Sequence, residues 1–442
     1  MKWHADCAAL QNEAQALTPG NLPTSLSLAT QHEDALMDTE APVFAGGDVA
    51  WILTACALVL MMTLPGLALF YGGMVRKQNV LAMLMTALGA AGVVTVVWTV
   101  VGYSFAFGGG ETNIFGGFDR IMLAGLTTQS EAAGLPEAVF ILFQMTFAII
   151  TVAIIAGAVA ERMSFKAWII FIPIWLLVVY APIAHWVWGE GFLYDAGVLD
   201  FAGGAVVHIN SGVAGLVLAL VLGPRRGFPK EGHPPHNLVL TVIGAGLLWV
   251  GWFGFNGGSA LSANALAAHA ALVTQIAAAT AALVWALIEW VMRGKPSVLG
   301  AASGAVAGLV GITPAAGFVE PYAAFIIGAL ASVACYFAVT GLKSALKFDD
   351  SLDAFGLHGI GGFVGAVLTG VFAATAVGGT GGAVEGNVTL IWTQTWGALA
   401  AAAWCAVATF VIAWGLKRVI KLRVDEEDEV SGLDVALHGE SS

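Results

Sequence analysis

Residues 138–160 read AVFILFQMTFAIITVAIIAGAVA, 23 residues without a charge between Glu137 and the Glu161-Arg162 pair. A helix rises about 1.5 Å per residue, so about 20 mainly apolar residues cross the ~30 Å hydrocarbon core of a bilayer. The run is long enough to span one. With its flank it forms the candidate span 136–160, and ten other stretches read the same way: 50–73, 79–107, 164–187, 202–222, 237–257, 264–291, 297–314, 320–341, 353–375 and 390–418. The expectation is an all-α membrane protein with eleven transmembrane helices, of which 297–314 is short and rich in Gly and Ala.

Composition supports that expectation. Of 442 residues 58% are hydrophobic and 10% charged, against roughly a quarter charged in ordinary soluble domains. So few charges cannot cover a soluble surface of this size. A mean hydropathy of +0.85 and 56 glycines fit a polytopic helical bundle. The net charge of −12 leaves no basic surface for nucleic acid, and none is expected as a partner. Fourteen of the 29 acids flank the membrane body, seven in residues 1–48 and seven from Asp425 onward. The expected division is an acidic hydrophilic extracytoplasmic leader (1–48), a transmembrane domain (49–420) and a cytoplasmic acidic tail (421–442). The leader lacks an apolar run after a basic start, so no cleavable signal peptide is expected. Three of the four cysteines, Cys56, Cys335 and Cys405, fall in apolar segments and Cys7 stands alone, which implies no disulfide or metal framework.

With the N-terminus outside, the inner loops and C-terminal end hold 15 of the 17 Lys and Arg residues, and only Lys2 and Arg120 lie outside. Positive residues gather on the cytoplasmic side. The N-terminus is therefore expected outside and the C-terminus inside, which requires an odd number of spans. Two halves also echo each other. Phe70-Tyr71-Gly72-Gly73 closes the first span and Phe255-Asn256-Gly257-Gly258 the sixth, while Asp200 precedes His208, and Asp350 precedes His358, by eight residues each. Spans one to five and six to ten begin on opposite sides. This predicts an inverted 5+5 repeat plus one extra helix, an arrangement that in transporters places the substrate path between the repeats.

Ionisable residues inside a bilayer are costly and mark functional sites. His208 and His358 each lie eight residues, roughly 12 Å, beyond Asp200 and Asp350, at matching depth on repeat-related helices, and are expected to meet. A neutral imidazole has one donor and one acceptor, so a pair can share a proton and still face a small polar guest. No carboxylate or cysteine stands at ligand spacing beside them, and neither a metal nor another cofactor is expected. Phe143 and Phe147 share a helix face at i, i+4. With Trp188, Trp252, Phe253 and Phe255 they gather at the outer ends, where an aromatic face attracts a cation or simply anchors the protein at the interface. Ser259 offers a hydroxyl at the end of span six, or caps it. Asp200 suits an N-cap and would also favour a waiting cation. Glu161-Arg162 and Glu289 read as structural.

These residues fall in an order that resembles the ammonium transporter family (Amt/MEP/Rh), in particular its bacterial ammonium channels. The matching stretches run from Pro65-Gly66 and Phe70 to Gly73, through Ala160-Glu161-Arg162, Ala184-His185 to Trp188-Gly189, Asp200 to Gly204 with His208-Ile209-Asn210, and Gly251 to Asn256. They continue with Phe355-Gly356 and His358-Gly359 and end at Gly432-Leu433-Asp434 and His438-Gly439-Glu440. The resemblance implies a homotrimer in the plasma (inner) membrane, with a pore for ammonium or ammonia through each subunit and no enzymatic activity. It implies an outer ammonium site at Phe147, Trp188 and Ser259, a gate of Phe147 and Phe255, and a pore past His208 and His358. Trp252, Phe143 and Phe70 would line the path, with Asp200 as the supporting carboxylate. It further implies that the inner loops, including Ser303 and Asp353, and the tail are surfaces for a PII-type regulator. A sensor on the same scaffold is the alternative, and such fusions carry an added signalling domain, whereas about 24 residues follow the last span.

Overall fold

The computed structural model describes residues 43–110 and 112–441. Most of the expected leader, Cys7 included, lies outside the described residues. Among the described residues eleven helices carry the fold: α1 (Gly46–Met74), α2 (Lys77–Phe107), α3 (Glu137–Val159), α4 (165–188), α5 (Gly204–Leu222), α6 (Leu238–Gly257), α7 (Ala265–Arg293), α8 (Val298–Ile312), α9 (Pro321–Leu346), α10 (Phe355–Phe372) and α11 (Thr389–Val419). Among the described residues, all but α8 belong to spans long and apolar enough to cross a membrane. At 15 residues α8 falls short of the usual length. Two short helices, α12 (Glu426–Ser431) and α13 (Leu433–His438), form the tail.

The opening run of apolar residues becomes α3, which is buried along nearly its whole length. A helix apolar on every side belongs in the middle of a bundle, and α1, α2 and α5 pack around this one. On the perimeter large apolar side chains point outward, among them Leu88, Val96, Leu283 and Trp392. Lipid can cover such side chains where water could not. Helices α7, α8 and α9 come together through Ala277, Ala281, Gly304, Gly308 and Gly328. Lipid tails give helices no hydrophobic reason to associate, so small residues and close backbone approach supply the attraction.

Helices α5 and α10 fix the centre of the protein. Asp200 ends the loop before α5, where its two carboxylate oxygens accept from the amides of Gly203, Gly204, Ala205 and Val206 at 2.5–3.2 Å. Gly203 has φ +110° there, a conformation open to glycine and strained for other residues. Asp350 repeats the cap on α10, accepting from Ala354 at 3.0 Å and Phe355 at 2.8 Å. The two helices start from opposite ends of the bundle and cross where Gly212 lies against the Gly359 backbone, leaving no room for a Cβ. Each begins with a π-helical turn, Gly204–Ile209 and Phe355–Gly359, and α6 ends in a third, Phe253–Gly257. Four further π-helical turns, Met62–Leu67, Trp98–Gly102, Leu176–Tyr180 and Ala338–Leu342, lie in other helices of the described residues.

Candidate functional site

Both histidines lie inside the π-helical turns of α5 and α10. The crossing at Gly212 lets the turns approach, and Nδ1 of His358 stands 3.2 Å from Nδ1 of His208. The imidazoles are 1% and 3% exposed. One Nδ1 must donate and the other accept, so two neutral rings that share this bond carry opposite tautomers. Their Nε2 atoms then present one N–H and one bare lone pair. Among the described residues Nε2 of His208 has no hydrogen-bond partner. The pair is thus a buried polar contact with unspent capacity at each end, set among apolar walls.

A file of rings leads to it. Phe143 meets Phe147 with centroids 4.9 Å apart, and Phe147 stacks on Phe255 at 4.3 Å and 20°. Phe255 lies 5.9 Å from His208, and His208 stacks on Trp252 at 5.4 Å. Trp188 stands edge-on to Phe147 at 5.7 Å, its indole N–H donating to the Asp200 carbonyl at 2.8 Å. Above the stacked phenylalanines opens a cavity of about 230 Å³, lined by Phe143, Phe147, Trp188, Gln144, Tyr194 and Ser259 among others. The Ser259 hydroxyl donates to the Phe255 carbonyl at 2.8 Å, leaving its lone pairs for a guest.

Asp200 and Phe70 stand apart from this file. Both Asp200 oxygens are engaged by the helix start, the side chain is 7% exposed, and it is not part of the cavity wall. Phe70 is buried near the end of α1 with its ring 5.8 Å from Tyr71. The sequence reading passed over Thr313, whose hydroxyl takes the Trp252 indole N–H at 2.9 Å and holds that ring against His208. It also passed over Gln144 and Tyr194 in the cavity wall. Their positions depend on packing between helices, which no spacing along the chain encodes.

At the opposite end Glu161 and Arg162 join an ionic cluster. Glu161 accepts from Arg76, Asn79 and Arg225, and Arg225 also makes a forked contact with Asp349 at 2.9 and 3.0 Å. Burial alone would raise the Glu161 carboxyl, but Arg225 and Arg76 hold it down to about 2. Asp349 is likewise lowered: burial pushes it up, and its bonds to Arg225 more than reverse that. The tail docks on this cluster. Glu429 is 3% exposed and accepts from the Arg226 amide and the Arg423 guanidinium, while its carbonyl accepts from Arg76. Asp434 accepts from the Ala82 amide at 2.8 Å. Ser303 and Asp353 line a cavity of about 190 Å³ that also includes Leu357, next to His358.

A bundle of this size with one buried polar pair at the end of an aromatic file defines a multi-pass membrane protein of the transport class. The profile of the Ammonium Transporter Family matches residues 50–442. The ammonium transporter of Aquifex aeolicus is 50% identical over 397 residues, covering 90% of this chain and 93% of that protein. The ammonium transporter of Bacillus subtilis is 48% identical over 402 residues, covering 90% and 98%. The crystal structure of Candida albicans Mep2 superposes with a TM-score of 0.83 at 40% identity, covering 87% of this chain and 88% of Mep2. The chain belongs to the ammonium transporter family. It is a multi-pass ammonium transporter of the cell membrane and not an enzyme.

Proposed function

We propose that ammonium enters from the vestibule at Phe147, Trp188 and Ser259, loses its proton to water there, and crosses as ammonia past His208 and His358. The observation that carries this reading is the unbroken file from Trp188 through the Phe147–Phe255 stack to the 3.2 Å histidine contact. A bare ammonium ion would need its hydration replaced in this apolar passage, which is costly. A cation–π face and a hydroxyl hold the ion where water still reaches it. Ammonia then has three N–H groups and one lone pair to offer two Nε2 atoms of opposite character. Potassium has no proton to leave behind and is rejected.

In this reading the vestibule is extracytoplasmic and the tail cytoplasmic, as the distribution of Lys and Arg argues. Residues 1–48 form the outer leader, 49–420 the transmembrane domain and 421–442 the tail. Helices α1–α5 and α6–α10 form an inverted repeat with α11 added, supported by the matched Asp200 and Asp350 caps. Phe147 and Phe255 form the gate, Phe143, Trp252 and Phe70 line the path, and Asp200 lends its charge from beneath the vestibule. The protein works as a homotrimer, and the docked tail with the inner loops forms the surface for a PII-type regulator. The test is labelled methylammonium uptake into proteoliposomes, with Trp188→Leu beside the wild type. Removing the ring should raise the half-saturating concentration severalfold, since Leu keeps the packing and loses the cation–π face. An unchanged value would move the capture site elsewhere, and binding without flux would favour the sensor.

A further inference from the structure

The vestibule holds far more than one ammonium ion. At about 230 Å³ it is many times the roughly 10–15 Å³ that one water-sized guest needs by the same measure, and Trp188 is one of several groups on its wall. Tyr194 lines this cavity at its open side and is 55% exposed. Its side chain makes no hydrogen bond or ring contact with the described residues, unlike most other aromatic side chains of the wall. The backbone beneath it is fixed. Tyr194 sits on the single helical turn Phe192–Asp195, where Leu193 is fully buried. The Phe192 amide donates to the Asn113 carbonyl at 3.3 Å, the Gly191 amide to the His185 carbonyl at 3.0 Å, and the Phe192 ring lies 4.9 Å from Trp186. A free ring is held on a pinned turn at the mouth of a cation site.

We infer that Tyr194 is the first ring an arriving cation meets, collecting monovalent cations without separating ammonium from potassium. The inference rests on the vestibule reading above and adds a residue and a property to it. A cation–π contact responds to charge and radius. It does not sense whether the ion carries a removable proton, so ammonium and potassium, similar in size, compete for the ring. Selection falls to the deeper groups, where only ammonium can shed its charge. Potassium outside should therefore inhibit uptake competitively while never crossing.

The experiment measures methylammonium uptake into proteoliposomes at several outside potassium concentrations, with N-methylglucamine as the balancing cation. Wild type, Tyr194→Ala, Tyr194→Phe and Trp188→Leu are compared. Half-saturation and inhibition constants are concentrations, so they do not depend on how much protein is active. Tyr194→Ala should raise both constants about two- to fivefold, the size of an exposed cation–π contact, and Tyr194→Phe should restore both. If Tyr194→Ala matches wild type while Trp188→Leu is weakened, this inference fails and the vestibule stands. If neither substitution moves half-saturation, the vestibule reading itself fails. A Tyr194→Ala shift with unaltered potassium inhibition, or a Phe variant that behaves like Ala, overturns the rim role.

Discussion

The His208–His358 contact makes each ring the other's hydrogen-bond partner, and both are buried where two positive charges side by side would repel strongly. Replacing either histidine with Asp puts a carboxylate where a desolvated cation finds compensation, so potassium flux should become measurable and selectivity fall at least about tenfold. Replacing either with Ala should lower ammonium flux by removing one of the two Nε2 groups. Ammonium and potassium fluxes measured in the same vesicles decide this, and Asp variants that exclude potassium as the wild type does would remove the pair from selectivity. At this scale much was legible, because an imidazole inside an apolar run carries its own signal and its depth follows from counting residues. Thr313 carried none. A threonine at the end of an apolar helix is common, and the bond to Trp252 appears only when the ends of α6 and α8 are packed together.

Among the elements, the α5–α10 crossing controls the distance between the rings. A methyl group on Gly212 would press into the Gly359 backbone, and backbone cannot move aside as a flexible side chain can. Gly212→Ala should part the helices, lower the melting temperature in detergent and abolish most uptake, at a cost of about 1–3 kcal/mol. Gly246→Ala, on α6 with no neighbouring atom in reach, should change neither and serves as the control. Hydropathy alone located the helices to within a few residues, since 136–160 became Glu137–Val159 and 237–257 became Leu238–Gly257. It did not reveal the π-helical turns. A wide turn has the composition of an ordinary one.

Across the whole molecule, the tail binds a cluster drawn from the loops after α1, α3, α5 and α9. Charge counting suggested which face the tail shares, and gave Glu161 and Arg162 only a structural part without naming Arg225, Asp349 or Glu429 as their company. Glu161 makes the cluster sensitive to acid. Its carboxyl is lower folded than unfolded, so its stabilisation is complete above the ordinary value of 4.5 and is lost as pH falls toward about 2. The loss approaches about 3 kcal/mol. Melting in detergent from pH 7 to 3 should show the decline begin below about 5, and Glu161→Gln should flatten it. Glu429→Ala should free the tail, read as faster proteolysis after residue 425 with the bundle left intact.

The 4.3 Å stack of Phe147 on Phe255 also bears on how far a cell can enrich its nitrogen source. A membrane potential of 100 mV does about 2.3 kcal/mol of work on each charge that crosses, enough to concentrate a cation about fiftyfold. It does no work on a neutral molecule. If the rings admit ammonia alone and the proton stays behind, the voltage is idle and the final ratio follows the pH difference between the two sides. If the proton crosses by a separate route, the same closed rings coexist with electrical accumulation. The steady-state ratio measured at fixed pH and varied voltage therefore reports the proton's path, even though the rings themselves never carry it.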